Sequence, residues 1–145
     1  MRLPKIDVNS PIHGLGLDAE GKLTVPSGER YNEVGWYDGS PTPGEVGPAV
    51  LEGHVTGNNQ NPSVFFELGA TKRGDLVEVD RADGSTATFK VTEVRMYPKA
   101  DFPRVDVYGA TAGPELRIIT CGGSYDSSAR RHLDNVVVFA KLVEG

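Results

Sequence analysis

A single cysteine, Cys121, leaves this chain without any intrachain disulfide, so a cystine-stapled framework is excluded. Its 145 residues are enough to bury a core without such staples, and one domain over 1–145 is the simplest reading. No block of five or more like charges occurs, and the net charge of −5 argues against a nucleic-acid surface, which needs a basic stripe. Nothing approaches the roughly 18 apolar residues of a membrane helix, and Met1 is not followed by a signal-type apolar core. The chain as given is expected to be soluble. That expectation leaves room for an N-terminal anchor upstream of Met1. Close-spaced Cys/His clusters of the zinc type are absent, as are Walker-type and dinucleotide-type glycine motifs. No metal or organic cofactor is therefore expected.

What the chain does have is punctuation. Eighteen glycines and ten prolines break it into short apolar or alternating runs, which suggests strands joined by turns. "PKIDVNSPI" and "KLTVP" read as N-terminal strands, and "DGSPTPGEVGP" as a turn-rich connection. "AVLEGHV" follows as a strand with His54 near its C-terminal end. "PSVFFELG" has room for one or two helical turns, stopped at Gly69. In "DLVEVDRADGSTATFKVTEVRMYP", Val77 and Val79 alternate with polar residues, as do Phe89 and Val91. Asp83-Gly84 between the two runs predicts a hairpin. "ELRIITC" and "NVVVFAKLV" are dense enough in branched residues to be buried on both faces. The expected fold is all-β, a single closed or nearly closed structure, because closure disposes of many short strand edges.

Candidate chemistry gathers near the ends of these strands. Cys121 lies where "RIIT" gives way to "GG". A free cysteine is commonly a small buried hydrophobe. At a strand end, however, a side chain emerges from a rigid scaffold, and glycines let another backbone come close. A thiol with an ordinary pKa of about 8.5 is a weak nucleophile at neutral pH, so a catalytic one needs an imidazole or fixed positive charge beside it. His54 ends a branched run beside a glycine and is the histidine best suited to that task. His13 stands among no other reactive groups, and His132 lies in a polar loop; both read as surface or hydrogen-bonded histidines. Arg130 and Arg131 precede the last strand. A guanidinium there either is solvated or holds a substrate carbonyl and steadies a developing oxyanion.

"LEGHVTG", then "LRIITCGGSYD", then arginine ahead of "NVVVFA" resembles a sortase, a membrane-associated cysteine transpeptidase of Gram-positive bacteria. "VGWYDGSPTPGEVGPAVLEGHV", "VFFEL", "RADGSTATFKVTEVRMYPK" and "TCGGSYD" extend the similarity over nearly the whole chain. They look like actinobacterial sortases of the class E/F type, class F above all. The resemblance implies a closed eight-stranded β-barrel with one or two short helices. It implies a catalytic triad of His54, Cys121 and an arginine, with Thr120 and Gly122 serving substrate positioning or the oxyanion. Aligning "NVVVFA" without gaps puts Asn135 where the family arginine stands, so Arg130, or alternatively Arg131, must fill the role from the preceding loop.

The activity so implied is cleavage of an LPxTG- or LAxTG-like sorting signal through a Cys121 thioester. Transfer to an amine then anchors a surface protein in the cell wall. The implied partners are surface proteins with C-terminal sorting signals and a cell-wall precursor or other amine acceptor, with no nucleic acid. The implied setting is extracytoplasmic, with the membrane reached only through an anchor missing from this chain. Two other classes compete with this reading: a thiol hydrolase using the same site, and a non-catalytic peptide-binding β-domain.

Overall fold

The computed structural model describes residues 1–21, 24–56, 62–97, 109, 111–120 and 135–144. Among these residues nine strands form one sheet: β1 (Arg2–Leu3), β2 (Val8–Asn9), β3 (Ile12–Leu15), β4 (Val34–Tyr37), β5 (Gly47–Gly53), β6 (Leu76–Asp80), β7 (Thr86–Tyr97), β8 (Pro114–Thr120) and β9 (Asn135–Glu144). Their order across the sheet is β2-β1-β6-β7-β9-β8-β5-β4-β3. The all-β expectation holds with nine strands in place of eight, two of them dipeptides. Among the described residues, helix is confined to three single 3-10 turns, at Pro4–Ile6, Gly28–Arg30 and Leu68–Ala70.

The two outermost strands, β2 and β3, are consecutive in the chain and separated only by Ser10 and Pro11. A two-residue link cannot span a flat nine-stranded sheet, whose strands are about 4.8 Å apart. The sheet must curl until its edges meet. Ser10 fastens the seam. It exchanges backbone hydrogen bonds with Met1, while its Oγ accepts the N–H of Val34 at 3.0 Å.

Alternation assigns the side chains to two layers. Ala49 and Leu51 of β5 point to the main core with Leu116 and Ile118 of β8, Val138 and Ala140 of β9, and Phe89 and Val91 of β7. Phe65 and Leu68, from the Pro62–Ala70 segment, cap this core. The opposite face carries a smaller cluster of Val50, Ile119 and Val137, flanked by Tyr37, Tyr97 and Phe139. Strands β5 and β8 and the first half of β9 are therefore buried on both sides, as the branched runs of β8 and β9 predict. The β6–β7 hairpin pairs Asp80 with Thr86 across a turn in which Gly84 takes φ +89°, a conformation glycine adopts without penalty.

Two expected strands do not form as read: "PKIDVNSPI" divides into the 3-10 turn Pro4–Ile6, the dipeptide β2 and the first residue of β3, and "KLTVP" is not a strand over its described residues. Thr24–Pro26 carries no strand structure. Instead it begins a strap of irregular chain, tied down by Thr24, whose N–H and Oγ1 both reach the carbonyl of Gly16 at 2.9 and 3.0 Å. No helix among the described residues is long and apolar enough to cross a membrane.

Candidate active site

Strand direction decides which residues meet. β5 and β8 run parallel and in register over seven pairs, from Gly47–Pro114 to Gly53–Thr120. β9 runs antiparallel to β8, with Val137 opposite Ile119, so β9 begins at the end where β8 finishes. β7 finishes there as well, Tyr97 being paired with Asn135. One end of the sheet thus collects the exits of β5, β7 and β8 and the entrance of β9.

His54 is the first residue beyond β5 at this end and is 4% exposed. Gly53 before it lies against the main core. A Cβ there would come within 2.6 Å of Phe65 and 2.7 Å of Val64, so any larger residue would push the segment away. That segment is bound to the exit of β5 through Phe65 N–H to His54 O at 3.0 Å and Ser63 N–H to Val55 O at 2.9 Å. The imidazole is held on an edge and a face. Its Nε2 lies 2.8 Å from the carbonyl oxygen of Pro26. Its plane stacks on Tyr31, with centroids 3.9 Å apart and the rings 4° from parallel.

Two residues earlier, on the face of β5 that carries Val50, Glu52 is 6% exposed. Its Oε2 is buried with no hydrogen-bond partner among the described residues, and burial pushes its carboxyl up to about 8. At neutral pH Glu52 is largely an uncharged acid. Thr120, at the end of β8, is 3% exposed, and its Oγ1 accepts the N–H of Val136 at 2.9 Å. Its oxygen therefore ties the exit of β8 to the entrance of β9. Arg117, buried on the second face, is paired with Glu115 at 2.8 Å and lies 4.6 Å over the ring of Phe139.

Cys121, Gly122, Arg130, Arg131 and His132 lie outside the described residues. Of the other candidates, His54 and Thr120 come to the same end of the sheet through the Gly53–Thr120 pair. His13 lies on β3, two strands across from Glu52, with its Nδ1 3.2 Å from a carboxylate oxygen of Glu33. Sequence reasoning passed over Pro26, Tyr31 and Glu52. Glu52 carried a signal, being the one charged residue inside the run "AVLEGHV". Pro26 and Tyr31 carried none, because the strap that brings them to His54 has no periodic pattern.

The curled, mixed sheet thus holds a buried histidine at the exit of β5 and a buried threonine, Thr120, at the end of its parallel neighbour β8. A family model for the Sortase domain matches residues 1–143, and the chain belongs to the sortase family. Among solved structures it is similar to sortase A from Corynebacterium diphtheriae (TM-score 0.71, 21% identity) and to sortase C-1 from Actinomyces oris (TM-score 0.72, 22% identity). It is also similar to sortase C1 from Streptococcus agalactiae (TM-score 0.70, 21% identity). Each of these matches covers 99% of this chain, which spans 59%, 72% and 66% of those chains respectively. At such identities the likeness speaks for the fold. No curated protein sequence matches the chain.

Proposed function

We propose that this protein is a cysteine transpeptidase. On this reading it cuts an LPxTG- or LAxTG-like sorting signal and passes the acyl group to an amine of the cell wall or of another surface protein. It works outside the cytoplasmic membrane, reached through an N-terminal anchor. The observation that carries the reading is the in-register parallel pair Gly53–Thr120. The next residue along each chain is His54 and Cys121, and consecutive Cα atoms are only about 3.8 Å apart. The entrance of β9 at the same end supports an arginine from the preceding loop, Arg130 or alternatively Arg131, as the third member.

The chemistry runs in two halves. The Cys121 thiolate attacks the scissile carbonyl carbon, and the arginine, with Thr120 and the Gly122 backbone nearby, stabilises the negative oxygen that forms. The carbon–nitrogen bond breaks as imidazolium His54 gives its proton to the departing amine, leaving a thioester. An incoming amine, deprotonated by His54, attacks that thioester and releases the thiolate. Water in the amine's place would give the free acid.

Mass spectrometry of the protein after incubation with LPxTG-like and LAxTG-like peptides tests the reading. An acyl adduct on Cys121, and a product joined to added amine, are the expected results. No adduct from any peptide overturns it, and free acid alone in the presence of amine makes the protein a hydrolase. Cys121→Ala should abolish turnover with the melting curve unchanged; activity above a few per cent of wild type rejects the nucleophile. Replacing Arg130 and Arg131 singly by Ala should give one severe and one mild defect in kcat. Equal mild losses would mean neither arginine serves the oxyanion.

A further inference from the structure

The bond from His54 Nε2 to Pro26 O has a chemical consequence. A carbonyl oxygen has no proton to give, so the hydrogen between them belongs to Nε2. In the neutral ring the lone pair then sits on Nδ1. The ring's tautomer is set by a backbone group of the strap.

The strap is itself held at several points. Thr24 is bonded to Gly16, the 3-10 turn Gly28–Arg30 closes through Tyr31 N–H to Gly28 O at 3.2 Å, and Pro26 is buried. Tyr31 follows that turn, and its hydroxyl donates to the carbonyl of Thr56 at 3.1 Å, two residues beyond His54. The tyrosine ring is thus anchored at both ends while its face lies flat on the imidazole. Rotation of His54 would break the stack and the Pro26 bond together.

We propose that Tyr31 and the Pro26 carbonyl are positioning groups that lock His54 as the Nε2–H tautomer and make Nδ1 the atom that handles the catalytic proton. Its chemical half rests on the transpeptidase reading above; the lock is a property of the resting protein. The Cys121 thiol proton moves to Nδ1, giving thiolate and imidazolium. Nε2–H stays on Pro26 throughout. The Nδ1 proton leaves with the departing amine, and Nδ1 is protonated again by the incoming one. The balance needs no further reactant.

Nitrogen-15 NMR of the histidine-labelled full chain tests the lock, with His54→Gln identifying the His54 signals. The expected spectrum of the neutral ring shows Nε2 bearing a resolved, slowly exchanging proton and Nδ1 bearing a lone pair. A protonated Nδ1 in that form, or a ring with no resolved N–H proton, overturns the proposal. In turnover assays Tyr31→Leu, which keeps bulk but not the flat face, should lower kcat by about 10- to 100-fold with KM little changed. Tyr31→Phe, which keeps the stack and loses only the tie to Thr56, should retain most of kcat. Wild-type kcat and an unaltered Nε2–H signal in Tyr31→Leu would overturn the positioning role. Should wild-type protein form no acyl adduct with any sorting peptide, the transpeptidase reading falls, and the spectrum alone still decides the lock. The same spectrum decides it if Tyr31→Leu does not fold.

Discussion

Glu52 is an acid placed where its charge is unwelcome. Burial raises its folded-state pKa to about 8, against 4.5 for an ordinary glutamate. Between those values the folded chain keeps a proton that the unfolded chain has released. Raising the pH through this window therefore lowers stability, by at most about 1.4 kcal/mol per pH unit, and above about pH 8 the effect is complete. Glu52→Gln keeps the shape without the ionisation. Urea unfolding should find this variant more stable than wild type at pH 8, with the gap narrowing towards pH 5. Parallel pH dependences of the two proteins would show that Glu52 is not the source. The same substitution leaves His54 and Tyr31 in place, so it separates a stability effect from the machinery around the imidazole.

Strand β5 does two jobs through alternate residues. Leu51 and Gly53 face the main core, while Val50 and Glu52 face the second layer, and His54 follows at the exit. The core-facing glycine lets Phe65 and Val64 lie tightly against the strand end. Gly53→Ala should destabilise the fold by about 1–3 kcal/mol through overpacking. It should also lower turnover by an order of magnitude or more, because it displaces the residue next to the imidazole. Phe65→Leu, which removes ring atoms from that contact, should recover part of the stability lost. A double-mutant cycle by urea unfolding measures this coupling. Strict additivity of the two changes would mean that Gly53 and Phe65 do not meet in solution.

On the scale of the molecule, the sheet closes through one serine. Ser10 joins Met1, beside β1, to Val34 of β4, the strands just inside the two edges, and Val34 is wholly buried. Ser10→Ala leaves the Val34 N–H without its acceptor and should cost about 1–3 kcal/mol, the usual penalty for an unsatisfied buried donor. Hydrogen exchange should quicken at Val34 more than at β8 or β9, whose amides lie in the middle of the sheet. A loss below about 0.5 kcal/mol, within the range of ordinary surface substitutions, would place the closure elsewhere.

Much of this was legible from local pattern alone. Period-two alternation and Asp83-Gly84 marked the β6–β7 hairpin, and unbroken branched runs marked β8 and β9, because burial on one or two faces writes itself directly into residue spacing. "LEGHV" and "IITC" likewise announced two strand ends with reactive side chains. "KLTVP" misled for the same reason, since its described residues, Thr24–Pro26, belong to a strap tied to Gly16 through Thr24 rather than to a ladder. Composition and pattern, then, determined an all-β chain with His54 at the exit of a strand. Tertiary structure alone decided that β5 lies parallel to β8 in register, that Tyr31 and Pro26 grip His54, and that Glu52 Oε2 is buried with no hydrogen-bond partner among the described residues. Those facts depend on contacts between residues far apart in the chain, and no local period encodes which distant strand will lie alongside.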